Sequence, residues 1–381
     1  MNKLPRIVKI LIVFAIVAAL WMILAPNYLR TSLVYWYANI DDYKIFENNS
    51  VNVKDGKDWE ESDSYNHYQL DSVDRAYLEN HETVAYLIIQ NGEILYEEYW
   101  DGYNSTSHSN IFSATKSIVS LLIGIAIDEG KIGSVDDRIG KYIPEFSGDN
   151  RGKISIRNLL TMSSGLDWDE AYSSPFSITT KAYYGKKLRE VATQQHLAEK
   201  PGARFHYQSG NTQLLSFIVE AATGETISKY AEEKLWKPLQ ATQTALWSVD
   251  KKDGDEKAFC CFNTNARDAA RFGQLVLNHG NWNGKQLISE SYLKEATKAA
   301  SYLLNEEQTK PLDFYGFQYW ILPYKNMNIP YMRGHLGQYI YSIAEKNAVV
   351  VRFGKLKDKQ KAGQITMDIP KYVDIALKIL Q

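Results

Sequence analysis

Ser113 and Lys116 stand three residues apart in Ser113-Ala114-Thr115-Lys116, a spacing at which a helix sets two side chains on one face, about a turn apart. A serine hydroxyl is a weak nucleophile until a base takes its proton. A lysine serves as that base only when burial or a nearby cation lowers its pKa. From Ser117 to Ile127 the chain reads Ser-Ile-Val-Ser-Leu-Leu-Ile-Gly-Ile-Ala-Ile, apolar enough to bury most faces of a helix and so to desolvate the lysine. Placing Ser113 at the N-terminus of that helix adds exposed backbone N–H groups and the positive end of the dipole, both suited to an oxyanion. The tetrapeptide alone does not discriminate, because Ser248-Val249-Asp250-Lys251 and Ser291-Tyr292-Leu293-Lys294 share the spacing. Neither precedes a long apolar helix. Ser113 is therefore the candidate nucleophile, and a helix-capping serine beside a solvated lysine is the alternative.

The elements that must hold this pair follow from the pattern around it. Residues 83–90 and 93–100 are two β-rich runs joined by Asn91-Gly92, which predicts a hairpin with a type I′ turn. The apolar helix after Ser113 should end near Gly130. Helical patterns at about 155–160, 212–222 and 226–235 predict an inserted helical lobe over about 135–265, followed by a helix at about 266–277. Strands are expected at 315–322, 339–344 and 348–353, and an amphipathic helix at about 369–380. Strands near both ends with helices between them predict an α+β fold, with one antiparallel sheet built from N- and C-terminal segments and flanked by helices. Residues 81–381 read as the catalytic domain.

The start of the chain carries a topological signal. An apolar run from Ile10 to Ala25 follows Lys3, Arg6 and Lys9 and ends at Pro26-Asn27. If Lys9 snorkels, residues 7–25 supply about 28 Å of helix against a hydrocarbon core of about 30 Å. This predicts one transmembrane anchor within residues 1–28, its cationic flank cytoplasmic and the catalytic domain extracytoplasmic. A cleaved signal segment, giving a secreted protein, is the alternative. Residues 29–80 are polar and acidic and read as a stalk and lead-in with little regular structure.

Composition narrows the partners. A formal net charge of −2 offers no field for nucleic acid. No Cys/His cluster has metal-ligand spacing, so neither a metal nor a cofactor is expected. The only cysteines, Cys260 and Cys261, are adjacent, and neighbouring Cα atoms about 3.8 Å apart fall below the usual disulfide span. Buried free thiols are expected.

Three elements in order carry a resemblance. Ser113-x-x-Lys116, then Tyr207-Gln208-Ser209 inside the segment from Pro201 to Asn211, then His335-Leu336-Gly337 followed by Gln338, resemble the serine β-lactamase and penicillin-binding protein superfamily. Within it, the sequence is most similar to the class C β-lactamase-related branch, which includes esterases and 6-aminohexanoate-dimer hydrolases. The likeness covers about residues 80–360 and takes in Leu159–Leu166 and Thr264–Gly273. It implies a β-lactamase/transpeptidase-like fold and an acyl-enzyme on Ser113. By the same resemblance, Tyr207 would exchange protons with the Ser113 hydroxyl and the leaving group, assisted by Lys116. His335-Leu336-Gly337 would form a strand walling the cleft, and the backbone N–H of Gln338 would join that of Ser113 as the oxyanion hole.

The departures from the family pattern shape the functional expectation. His335 replaces a lysine and so removes a permanent positive charge that would meet a substrate carboxylate. Ser209 replaces the usual asparagine and removes an amide that would touch substrate. Both changes point away from antibiotic hydrolysis and towards acyl transfer on a small-molecule ester or amide. Gly165-Leu166-Asp167-Trp168-Asp169-Glu170 is expected to line the cleft, with Asp167 or Asp169 meeting a cationic end of the substrate. A β-lactamase or D,D-peptidase acting on peptidoglycan, and a non-hydrolytic cell-wall or β-lactam sensor, are the competing readings.

Overall fold

The computed structural model describes residues 5–380, without the side chains of Ala18, Ala19, Met22 and Ile23. Its centre is a seven-stranded sheet in the spatial order 320–324, 327–334, 338–343, 348–354, 83–90, 93–99, 60–61. Every pairing is antiparallel except the last, where Glu60-Glu61 runs parallel to the strand Glu93–Tyr99. The sheet joins the two ends of the catalytic domain, as the alternation of strands and helices predicts. The hairpin from Thr83 to Tyr99 turns through Asn91 and Gly92, both at positive φ of 54° and 85°, the conformation a type I′ turn requires.

Period-two patterning splits the core into two layers. From the strand Thr83–Gln90, Leu87 and Ile89 face the cluster that holds the helix Thr115–Asp128. Tyr86 and Ile88 face the opposite cluster, under the terminal helix Asp368–Ile379. The Tyr86 hydroxyl donates to the Tyr372 carbonyl at 2.7 Å and ties that helix to the sheet. On the first face the helix Ala266–Leu277 lies against the strands 338–343 and 348–354. Gly273 permits the approach, since a Cβ there would meet Val349 Cγ1 at 2.6 Å.

The helical lobe begins as expected but does not extend to residue 265. Helices Ile156–Leu160, Ile178–Tyr184, Leu188–Thr193, Ser209–Thr223 and Ile227–Ala231 build it. Residues 245–248 and 262–264 instead form strands of a second sheet, in the order 48–51, 245–248, 262–264, 109–110. That sheet also corrects the reading of residues 29–80 as a stalk with little regular structure. This segment contains the strand Asn48–Val51 and the helix Ser72–Asn80, and Ile40, Val51 and Leu78 are wholly buried. It is part of the domain.

The N-terminal segment forms a helix from Arg6 to Leu24, and Pro26 separates it from a second helix, Asn27–Tyr35. The expected anchor falls partly outside the described residues. Among the described residues, no helix is long and apolar enough to cross a membrane. A further correction concerns the cysteines: Cys260 and Cys261 are joined in a disulfide across a Cα–Cα distance of 3.7 Å. Cys261 takes a left-handed φ of 72°, a backbone turn outside the ordinary geometry on which the expectation of free thiols rested.

One buried ion pair locks the helix Ala266–Leu277 in place. The Asp268 carboxylate is fully buried and accepts from the backbone N–H groups of Thr242 and Gln243, both at 2.9 Å, and from Arg271 Nε at 2.9 Å. Removing one partner of such a pair leaves a buried charge without compensation. Asp268→Ala is expected to lower unfolding free energy by about 3–5 kcal/mol, read from the urea midpoint. A loss below about 1 kcal/mol would show that Arg271 finds other compensation.

Candidate active site

Ser113 sits in a single 3₁₀ turn, Phe112–Ala114, that leads directly into the helix Thr115–Asp128. The preceding Phe112 has a positive φ of 46°, so the chain turns sharply just before the serine. The apolar helix behind this turn drives the burial of Lys116, which is 1% exposed. Its ammonium donates to Ser113 Oγ at 3.0 Å, to Ser209 Oγ at 3.1 Å and to the Phe259 carbonyl at 2.7 Å. Those three acceptors use all three donors of the amine. Burial lowers the Lys116 pKa to about 8, against the opposing pull of the Glu170 carboxylate.

Tyr207 places its phenol beside Ser113 and Lys116. Its ring lies 5.2 Å from the Lys116 ammonium, measured to the ring centroid. Burial, and then the negative charge of Glu170, raise the pKa of this phenol, so it is a proton donor at neutral pH. Ser209 opens the helix Ser209–Thr223. Glu170 reaches the same helix start and accepts from both Ser209 N–H and Ser209 Oγ at 2.6 Å. A carboxylate there is favoured by the helix dipole.

His335 forms the opposite wall. Its ring packs edge-on against Phe112 at 5.5 Å and stacks on Tyr172 at 5.5 Å, and the Tyr172 hydroxyl donates to Glu170. Burial first, and then the charge of Lys357, hold its pKa down to about 4. Imidazole is therefore neutral here at any pH near 7. Leu336 and Gly337 turn at positive φ of 60° and 87°, and the Arg352 guanidinium fixes that turn by donating to both of their carbonyls. Gly334, paired with Gln338 across the two strands, lies so near that a Cβ would stand 2.1 Å from the Ile111 carbonyl. This contact brings the backbone at Gln338 against the turn that carries Ser113.

Ser113, Ser209 and His335 line one cleft, Lys116 bonds both serines from beneath with the Tyr207 ring beside it, and Gly337 and Gln338 follow His335 in the adjoining turn. Asp167 and Asp169 are placed elsewhere. Asp167 accepts from the His196 backbone N–H at 2.8 Å and Asp169 from that of Ala171 at 3.0 Å, both on exposed turns. Trp168 is buried beneath the site rather than lining it, packed on Gly210 and donating to Thr179 Oγ1 at 2.9 Å. The acidic group of this loop that enters the site is Glu170. Sequence reasoning included Glu170 in the loop but gave it no role. It also missed Tyr172, the Phe259 carbonyl and the wall formed by Trp36 and Tyr37.

Residues 70–364 match the Beta-lactamase family. The chain belongs to that family. Among curated relatives, the 6-aminohexanoate-dimer hydrolase of Paenarthrobacter ureafaciens is 28% identical over 295 residues, covering 74% of each chain. Among solved structures, a Bacillus anthracis protein assigned provisionally to the 6-aminohexanoate-dimer hydrolases superposes with a TM-score of 0.74 at 21% identity, over 93% of this chain and 95% of that one. A family VIII carboxylesterase superposes with a TM-score of 0.63 at 16% identity, over 81% and 95% of the two chains. These structural likenesses carry the fold. The protein is accordingly a beta-lactamase-family hydrolase with the α+β architecture of that family.

The position of Lys116 sets a pH dependence. Because the neutral amine is the basic form and the pKa is lowered to about 8, kcat/KM on an activated ester is expected to rise with pH and level off above about 8. Glu170 raises the Lys116 pKa, so Glu170→Gln moves that rise to lower pH. His335 stays neutral above about 4, so His335→Gln leaves its position unchanged. A rise that moves upward in Glu170→Gln would contradict the electrostatics.

Proposed function

We propose that this protein hydrolyses an ester or small amide through an acyl-enzyme on Ser113. The observation that carries the reading is the fully engaged, desolvated Lys116 ammonium 3.0 Å from Ser113 Oγ. In this reaction the neutral form of Lys116 accepts the Ser113 proton as Oγ attacks the substrate carbonyl carbon. The backbone N–H groups of Ser113 and Gln338 stabilise the resulting oxyanion. The bond from carbon to the alkoxy or amine group then breaks, and the departing group takes a proton from Tyr207. Tyr207, now a phenolate, takes a proton from a water that attacks the acyl carbon; the bond from that carbon to Oγ breaks, Oγ regains the proton held by Lys116, and the carboxylic acid leaves.

Ester or amide chemistry is favoured over β-lactam hydrolysis by the neutral wall at His335. The His335 ring itself offers a β-lactam or peptide carboxylate no charge, and the positive charge felt there comes from Lys357 instead. The names of the relatives, an amide-dimer hydrolase and a carboxylesterase, agree with this choice. We propose separately that the chain is held at a membrane with its catalytic domain outside the cytoplasm. Support comes from Lys3, Arg6 and Lys9 ahead of an apolar helix whose Ile10, Phe14 and Leu24 side chains are 60%, 72% and 78% exposed.

A fluorophosphonate probe, a panel of p-nitrophenyl esters and anilides, and a chromogenic cephalosporin test the proposal. Wild type should label and should turn over esters at least about a hundredfold faster than the cephalosporin. Ser113→Ala should lose labelling, and its turnover should fall by about 10³-fold or more. Labelling that persists in Ser113→Ala would refute the nucleophile. Labelling without turnover of any substrate would favour a sensor.

A further inference from the structure

The wall of the active-site cleft that sequence reasoning missed comes from the segment just after the apolar helix. Pro26 ends the link from Arg6–Leu24, and the helix Asn27–Tyr35 then packs on the domain helix Ile178–Tyr184 with Leu29 and Ser32 buried. Trp36, Tyr37 and Ala38 line the same cleft as Ser113. The nine residues of Asn27–Tyr35 span only about 13 Å. The end of the apolar helix is therefore fixed close to the mouth of the site.

The rim of that mouth is apolar and open. Val34, Trp36 and Tyr37 are 66%, 57% and 74% exposed on one side, and Phe176 is 75% exposed beside the cleft-lining residues Ser174 and Pro175. This rim is continuous in the chain with the helix Arg6–Leu24, where Ile10, Leu11, Val13 and Phe14 are also exposed. Large exposed apolar surface marks an interaction site. Tryptophan and tyrosine beside an apolar helix suit the boundary between water and lipid, and the cations Arg6 and Lys9 complement anionic headgroups.

We propose that the apolar helix and the rim at Val34, Trp36, Tyr37 and Phe176 seat this enzyme on a lipid surface, so that the cleft admits an ester or amide bearing a long aliphatic chain. The chain of such a substrate stays among the lipids and crosses the aromatic rim, while its carbonyl reaches Ser113. The inference rests on the reading of Ser113 as the nucleophile and names the substrate class of that same site. It requires the apolar helix to bury in a leaflet, and it does not require the helix to cross the bilayer.

The test uses the full chain with and without vesicles of phosphatidylcholine and phosphatidylglycerol, and two probes, p-nitrophenyl butyrate and p-nitrophenyl palmitate. Vesicles should bind the protein in flotation and raise kcat/KM for the palmitate by about tenfold or more relative to the butyrate. Val34→Ser combined with Phe176→Ser should lose most of that gain and keep butyrate turnover within about twofold of wild type. Butyrate turnover without a vesicle-dependent gain on palmitate, or a gain that survives in the double variant, overturns the inference and leaves the hydrolase reading standing. Turnover of neither ester overturns both.

Discussion

An ammonium group taken out of water needs every one of its protons bonded, and Lys116 meets that demand with three acceptors from three separate parts of the chain: Ser113, Ser209 and the Phe259 carbonyl. The residual cost of burial appears as the lowered pKa, about 8. A lysine in water would hold its proton far above neutral pH and could not serve as a base. The geometry of the site follows from this constraint, because any displacement of the three acceptors would leave an unbonded charge in an apolar interior.

The segment around Phe259 shows how the fold meets the constraint. Phe259 offers its carbonyl to Lys116, Phe262 donates to Thr115 Oγ1 at 3.2 Å, and the Phe262 carbonyl accepts from Ile111 N–H at 3.0 Å. Between them lies the disulfide of Cys260 and Cys261, which restricts the backbone of the residues that hold the lysine. On the far side, Glu170 draws the Ser209 hydroxyl proton towards itself and leaves the oxygen lone pairs free for Lys116. The stacked pair Tyr172 and His335 closes the wall opposite.

Much of this was legible in the sequence where a strong local pattern carries the structure. The apolar run after Ser113 could only be a buried helix, and Asn91-Gly92 could only favour one kind of turn. The strand 327–334 was not legible, because Pro330 and Arg333 interrupt its pattern. The packing of residues 29–80 rests on isolated anchors such as Ile40, Val51 and Leu78, which form no period. Asp167, Asp169 and Glu170 are chemically alike and adjacent, and only the conformation of their loop decides which carboxylate turns into the site. The cysteine pair misled for a related reason, since ordinary spacing rules omit the left-handed backbone at Cys261.

The central claim concerns the charge state of a single amine, and NMR of protein labelled with ¹³C at lysine Cε reads it directly. Comparison with Lys116→Met assigns the Lys116 signal. The account predicts that this signal titrates with a midpoint near 8, as burial dictates. A midpoint above about 10, the value of a solvated lysine, would contradict it.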